Sequence, residues 1–287
     1  MTEVLQLVVN GLVSGTVLAV PAIGFTAIYA VLRFPNFTVA SHATIGAFAG
    51  YVANTGLGLP AWAAVLVAFL VAGLAGVVND ELVLKPLRPS GALTAAIAAV
   101  ALTIVLENVV RFAFGNDLRG YDLPIRRDWQ WAGLRIGPQQ VENLVIAVLA
   151  MAALFLFLAF TRTGKAMRAV ADNPMLAGIK GINADMVARL VNFVGMGLAG
   201  VGGMLLGLDT SIDPLTGFRV ILSVFAAAVV GGLGSIPGAV VGALTIGVAE
   251  ELSLLSLAPA YRTAVGFAAI LVVLTLRPRG LLGERAY

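Results

Sequence analysis

The sequence predicts an all-α integral membrane protein, a polytopic helical bundle of roughly eight to ten transmembrane helices at about 20 apolar residues per crossing. Three observations predict it. Of 287 residues 60% are hydrophobic and 11% charged, where a soluble domain carries roughly 25% charged residues. The apolar residues run continuously rather than in alternation, which disfavours a β-barrel. The 33 glycines, with abundant alanine, suit close helix packing through small residues. The absence of cysteine excludes disulfides and thiolate metal sites. No other metal site and no nucleic-acid partner is expected; membrane lipid is.

Val4 to Leu32 is apolar with Pro21 and Gly24 inside it, and reads as one kinked helix or two short ones. MTEVLQLVVNGL has no basic n-region and no Ala-x-Ala site, so it is expected to be an uncleaved first span. After Arg33, Pro35 and Asn36 break the chain before a span from Thr38 to Asn54 that holds His42. Spans follow at Ala61 to Leu84 and Ala92 to Phe114, the second carrying Glu107 and Arg111. The polar segment 115–142 separates them from a span at Asn143 to Phe160. Met186 to Leu208 comes next, then a connector from Asp209 to Phe218 and a Val/Ala/Gly-rich helix ending in GGLGSIPGA. Spans at Ala239 to Leu257 and Ala260 to Leu276 complete the chain.

Alternating spans put Lys85 and Arg88, the loop 161–185, and Arg277, Arg279 and Arg285 on one side, which the positive-inside rule makes cytoplasmic. A single first helix gives nine crossings with the N-terminus outside, and a split one gives ten with both ends inside. Residues 115–142 then face outward.

The loop 161–185 is not a plain linker. KAMRAVA has the composition of a short helix, Asp172 or Asn173 reads as an N-cap, Pro174 suits the first helical position, and Gly181 suits the C-terminal close. A helix, a break and a helix held between two spans make a docking surface, although basic inner loops are common in membrane proteins for topology alone.

Chemistry-bearing motifs are lacking: no G-x-x-x-x-G-K-[ST], no H-E-x-x-H, no G-x-S-x-G, and a single histidine. An enzyme is poorly supported, and energy for work on a solute is expected from another chain.

The loop GKAMRAVADNPMLAGIKGIN resembles the cytoplasmic coupling loop of branched-chain amino acid permeases of ABC importers, a family that also takes in urea and amide permeases. AIYAVLRFPNF, ELVLKPLR with LTAAIAAVALTIVLENVVRFAFG, VFAAAVVGGLGSIPGAVVGALTIGVAEEL and LTLRPRGLLG resemble the family in the same order, from about Asn10 to Gly283. One run departs: the family's Asn-Phe-Ala-His-Gly is here Asn36-Phe37 followed by TVASHATIGAF, with His42 displaced.

The resemblance implies one permease domain over 1–287 with a cytoplasmic coupling-helix loop at 161–185 and an extracytoplasmic segment at 115–142. It implies two cytoplasmic ABC ATPase subunits that bind ATP and Mg, a second homologous permease and an extracytoplasmic binding protein. Coupling to the ATPases would fall to Gly164, Lys165, Ala166, Arg168, Ala169, Asn173, Pro174, Ala177, Gly178 and Gly181. Met175 and Ile179, at i and i+4, offer a partner one apolar face. Asn36, His42, Glu107, Asn192, Gly231, Gly232, Gly234, Pro237, Gly238 and Glu250 are the candidate translocation-pathway residues.

Each has a plainer reading: Glu107 with Arg111 as a neutralising pair, Glu250 in a structural hydrogen bond, Asn192 as helix glue, His42 as a packing residue, the glycines as a close backbone approach. Trp129, Trp131, Arg126 and Arg127 form either a landing surface for the binding protein or an interfacial aromatic belt. A proton-coupled secondary transporter using Glu107, Glu250 or His42 is the alternative function.

Overall fold

The computed structural model of the chain describes residues 2–123, 127–131, 134–277 and 279–283. Arg126 and Arg285 lie outside these, as does the side chain of Trp131. Helix α1 runs unbroken over Thr2–Leu32 with Pro21 inside it, so the first span is one helix. Pro21 packs against Gly202, where there is no side chain to obstruct its ring.

The next helices are α2 (Val39–Tyr51), extended by a π turn at Val52–Gly56, and α3 (Ala61–Asn79), extended by another at Asp80–Leu84. A short α4 (Lys85–Leu87) precedes α5 (Ala92–Phe114). The outer segment carries an antiparallel hairpin, β1 (Trp129–Trp131) with β2 (Leu134–Ile136), in register Trp129 to Ile136. Then come α6 (Pro138–Phe160), α7 (Arg162–Asp172), α8 (Pro174–Ile179) and α9 (Ala184–Asp209). The last three are α10 (Thr216–Gly231), α11 (Ile236–Ser253) and α12 (Arg262–Leu276). Pro138 occupies the first turn of α6, a favourable place for proline, and so residues 138–142 are already helical.

Six helices are long and apolar enough to cross a membrane, and α10 and α12 are shorter apolar ones. With α2 and its π extension these give nine passes among the described residues. The N-terminal end of α1 meets the β1–β2 hairpin, with Gln6 bonding it through Arg135. At the other end Arg33 donates to the carbonyl of Ala171, and Lys85 Nζ lies 3.1 Å from Asp185 Oδ2. The basic loops therefore meet at one end, as the positive-inside argument requires.

Glycine sets how closely the helices cross. α1 and α9 bury 78% of their most apolar stretches, while α5 and α6 bury 28% and 22%; the first pair is the axis and the second a lipid-facing wall. α1 meets α11 at Gly11, Gly15 and Gly247, and meets α9 at Gly24 and Gly195. α2 crosses α9 at Gly46 and Gly200, backbone on backbone, leaving no room for a Cβ. Such crossings trade side-chain burial for main-chain van der Waals contact, the usual device where lipid removes the hydrophobic drive.

Two chain breaks lie inside the bundle. Between α1 and α2, Phe34 and Asn36 are buried, and the carbonyl of Phe37 accepts a hydrogen bond from Thr103 Oγ1 at 3.2 Å. Thr103 is the midpoint of α5, so α2 begins near mid-depth. Between α9 and α10, residues 210–215 dip inward: Ile212 pairs with Arg119 through both backbone bonds and packs with Ala47, Phe48 and Val110. Tyr121 Oη closes this outer lid by donating to the Ala47 carbonyl at 2.7 Å, and burial pushes its phenol above the usual tyrosine range.

Candidate functional site

The cytoplasmic helix pair is built by its own caps. Thr161 Oγ1 accepts from Gly164 N at 2.9 Å and opens α7. Gly164, Met167 and Val170, at helical spacing, are buried against the bundle, while Arg162, Lys165 and Arg168 are exposed on the other side. Gly164 lies against the backbone of Phe157 and Leu158, where any side chain would clash. Asn173 is the N-cap of α8, its Oδ1 accepting from Met175 N at 3.1 Å and Leu176 N at 3.0 Å, with Pro174 in the first turn. Gly181, at φ +81°, closes α8. Its N–H bonds the Gly178 carbonyl at 3.0 Å and Ile182 N–H bonds that of Ala177 at 3.0 Å, a complete Schellman close. Asn183 then caps α9 through Met186 N at 3.1 Å.

What this pair presents is specific. On α8, Ala177 faces inward while Met175, Leu176 and Ile179 are 78%, 59% and 75% exposed. Beside it a 210 Å³ apolar groove runs between α7 and the start of α9, lined by Ala166, Met167, Met186 and Val187. Lys165, Arg168 and Lys180 of the same segment are exposed as well. Beyond its seat on α6, the pair is tied to the bundle by Arg33 to the Ala171 carbonyl, and α9, which follows it, is tied to the end of α3 by Lys85 to Asp185 and by Arg189 Nε to Glu81 Oε1 at 2.6 Å. Displacing the pair therefore loads α6 and the end of α1 directly, and α3 only through α9.

The pathway candidates fall in four places. Asn36 and His42 sit at the inner break: Asn36 Oδ1 accepts from Thr38 Oγ1 at 2.7 Å, and His42 joins the Thr38 carbonyl to Asn79. Asn192 lies in α9, its amide donating to the Ala188 carbonyl of its own helix at 3.0 Å and its buried Oδ1 finding no partner among the described residues. Glu107 is buried on the inner face of α5 in line with Ala95, Ala99, Leu102, Thr103 and Val110; among the described residues its Oε1 and Arg111 Nε each lack a hydrogen-bond partner. Gly231, Gly232, Gly234, Pro237 and Gly238 form the cytoplasmic turn between α10 and α11, where Gly231 and Gly238 touch backbone to backbone. Leu281 and Leu282 donate to the carbonyls of Val230 and Gly231, laying the C-terminal segment on that turn.

Glu250 belongs to a cluster that sequence pattern alone does not assemble. Its Oε1 accepts from Ser223 Oγ at 2.6 Å and its Oε2 lies 3.4 Å from Arg262 Nε. Arg262 also reaches Glu251 Oε1 at 2.7 Å and Ser14 Oγ at 3.0 Å, binding α1, α10, α11 and α12 together. Arg262 escapes sequence reading because it opens the last span, where a basic residue passes for a topology signal. Asn143 and Asp80 were missed as well: Asn143 Nδ2 donates to the Leu205 carbonyl at 3.1 Å, and buried Asp80 pairs with Arg88. On the outer face a 730 Å³ hollow lies between Asn54, Trp62, Asp122, Asp128 and Glu142. A 580 Å³ groove between α3, α6 and α9, lined almost wholly by apolar groups such as Leu66, Leu149 and Phe157, is shaped for lipid chains.

Comparisons with known proteins agree with this geometry. The family model described as "Branched-chain amino acid transport system / permease component" matches residues 7–274. The high-affinity branched-chain amino acid transport system permease protein LivH of Escherichia coli K12 is 34% identical over 98% of this chain and 96% of its own. BraD, the high-affinity branched-chain amino acid transport system permease protein of Pseudomonas aeruginosa, is 31% identical with the same coverage. Among solved structures, PsaBC from Streptococcus pneumoniae in complex with Fab superposes with a TM-score of 0.51 at 17% identity, over 94% of this chain and 91% of that one, a likeness of fold. With a family match across nearly the whole length and six apolar helices of membrane-crossing length, the chain belongs to the branched-chain amino acid transport permease family, as a multi-pass permease subunit of the cytoplasmic membrane.

Proposed function

We propose that this chain is the translocating subunit of an ATP-driven importer, carrying branched-chain or related apolar amino acids that an extracytoplasmic binding protein delivers. The observation that carries the reading is the α7–α8 pair: a capped, rigidly tethered helix pair whose apolar residues Met175, Leu176 and Ile179 stand in water. An exposed apolar stripe rimmed by polar groups marks a docking surface. Its partners are two cytoplasmic ABC ATPase subunits, which bind ATP and Mg and carry out all the hydrolysis. The groups that engage them are Lys165, Ala166, Arg168 and Ala169 on α7 and Asn173, Pro174, Gly178 and Gly181 around α8, while buried Gly164 and Ala177 seat the pair on the bundle. Closure of the ATPases on ATP shifts α6 and α9 through these contacts.

A second, homologous permease completes the path. The break at Asn36, His42 in α2 and Asn192 in α9, the turn at Gly231, Gly232, Gly234, Pro237 and Gly238, and the buried acids Glu107 and Glu250 hold the moving helices in register beside that path. The outer hairpin, with Trp129 62% exposed and Arg127 exposed, is the landing surface for the binding protein.

The test is co-purification from the native host followed by reconstitution. Wild type should bring down two P-loop ATPases and a second polytopic chain, and should move leucine only with ATP. A Lys165, Arg168 and Asn173 triple alanine variant should lose the ATPases. Solute movement by the chain alone, without ATP and abolished by a protonophore, would replace the reading with a proton-coupled transporter using Glu107, Glu250 or His42.

A further inference from the structure

Arg219 stands in an unusual place. α10 begins at mid-depth rather than at the outer surface: Gly217 N–H donates to Thr44 Oγ1 at 3.0 Å, and Gly217 abuts the Ala40 carbonyl. Ala40 and Thr44 lie in the first turns of α2, which starts beside Phe37, itself bonded to Thr103 at the middle of α5. From Arg219 down to the end of α10 at Gly231 the rise is roughly 18 Å, close to half the thickness of a bilayer's hydrocarbon core. The preceding residues 210–215 are non-helical at membrane depth, which is tolerated where the backbone is buried in protein or lines a wet cavity.

At that depth the Arg219 side chain is 59% exposed on the outside of the bundle. It pairs with Asp213, whose carboxylate also accepts from Leu215 N at 3.0 Å and from Thr216 Oγ1 at 3.2 Å. Asp213 is thus a fixed anchor, and it occupies one end of a fork that has five N–H donors. No other hydrogen bond engages the Arg219 side chain among the described residues. A charged group facing lipid inside the bilayer is costly, and an arginine stem of about 6 Å cannot reach an interface about 12 Å away. This face therefore meets water. The same face carries exposed Leu215, Phe218 and Leu222, at i, i+3 and i+7, beside the cation.

We propose that the outward face of α10 around Arg219 lines the translocation path, where Arg219 presents its guanidinium to the carboxylate of the amino acid in transit while Phe218 and Leu222 pass its apolar side chain. The proposal rests on the amino-acid permease reading above. It assigns a specificity-determining cation that acts only during passage, its pairing with Asp213 keeping it from trapping the solute.

The chain has no cysteine, so single cysteines report cleanly. In the reconstituted complex with its ATPases and partner permease, Leu222→Cys should react with a charged, membrane-impermeant methanethiosulfonate, and L-leucine should slow the reaction. Leu149→Cys, in the middle of α6 and 62% exposed to lipid, should stay unlabelled. Removing both charges with Asp213→Asn and Arg219→Gln leaves no unpaired ion, and should lower ATP-driven uptake of radiolabelled leucine at least about tenfold, the scale of one lost charge-assisted hydrogen bond. Arg219→Lys should recover part of that loss. The proposal falls if Leu222→Cys is as inert as Leu149→Cys, or if the uncharged pair transports leucine at the wild-type rate. A wild-type complex that moves no leucine overturns the amino-acid reading and the carboxylate role with it, while the labelling still decides whether this face is wet.

Discussion

Asn173 Oδ1 holds the N–H of Leu176 at 3.0 Å, and that bond sets the angle at which α8 leaves α7. Both residues are exposed, so no packing substitutes for the cap if it is lost. Asn173→Ala should cost about 1 kcal/mol of local helix stability, while Asn173→Asp should cost almost nothing because it retains the acceptor. Hydrogen exchange at the amides of 175–179 reads the local loss. Co-purification of the ATPases reads its consequence, and it should fall for the alanine variant and hold for the aspartate.

Glycine positions separate into those that seat a helix and those that do not. Gly46 faces the Gly200 backbone directly, whereas Gly178 has nothing within 4 Å of where a Cβ would go. Gly46→Val should destabilise the bundle by about 3 kcal/mol through overpacking, seen as loss of monodisperse protein in detergent. Gly178→Ala should raise stability by about 0.5 kcal/mol by restricting the unfolded chain. If that stabler variant nonetheless loses ATPase binding, the partner approaches the backbone at this glycine.

The Arg262 cluster distinguishes a structural acid from a proton carrier. Glu250 is bonded on both oxygens, to Ser223 and to Arg262, and so is poorly placed to give up and regain a proton during transport. Arg262→Leu should destabilise by about 3–5 kcal/mol, since it strands two buried carboxylates. Adding Glu250→Gln and Glu251→Gln should restore most of the lost stability and leave leucine uptake within about twofold of wild type, by analogy with apolar replacement of whole buried ion pairs. Thermal unfolding in detergent and uptake in proteoliposomes check the two halves. Abolished transport with restored stability would return Glu250 to the pathway.

The spans were legible because twenty apolar residues in a row admit few other structures, and the limits at Ala92, Phe114, Phe160 and Leu276 coincide with charge, glycine or proline. The α7–α8 caps were legible too, since Asn173-Pro174 and Gly181 carry local chemistry that needs no tertiary context. The mid-depth start of α10 was not. DTSIDPLTGF reads as an outer connector, and only the long-range bond from Gly217 to Thr44 shows that it dips. Polar clusters such as Arg262 with Glu250 and Ser14 join residues as much as 248 positions apart, a separation that carries no periodic signal. Local caps along one stretch of chain were therefore readable, and clusters assembled across helices were not.

The exposed side chains of α8 give the sharpest test of docking against mere topology. Met175 and Ile179 are 78% and 75% exposed, so replacing both with serine removes almost no buried area and should change the stability of the isolated chain by less than about 0.5 kcal/mol. A loop that only fixes orientation would tolerate the change completely, because the basic residues that fix it are untouched. A docking face would not. In a partner groove each side chain would bury most of its apolar surface, worth about 1.5–3 kcal/mol apiece, so the double serine variant should lose the ATPases at least about a hundredfold in affinity. Wild-type ATPase retention by that variant would show that the basic rim alone carries the contact. It would move the site from α8 to Lys165 and Arg168.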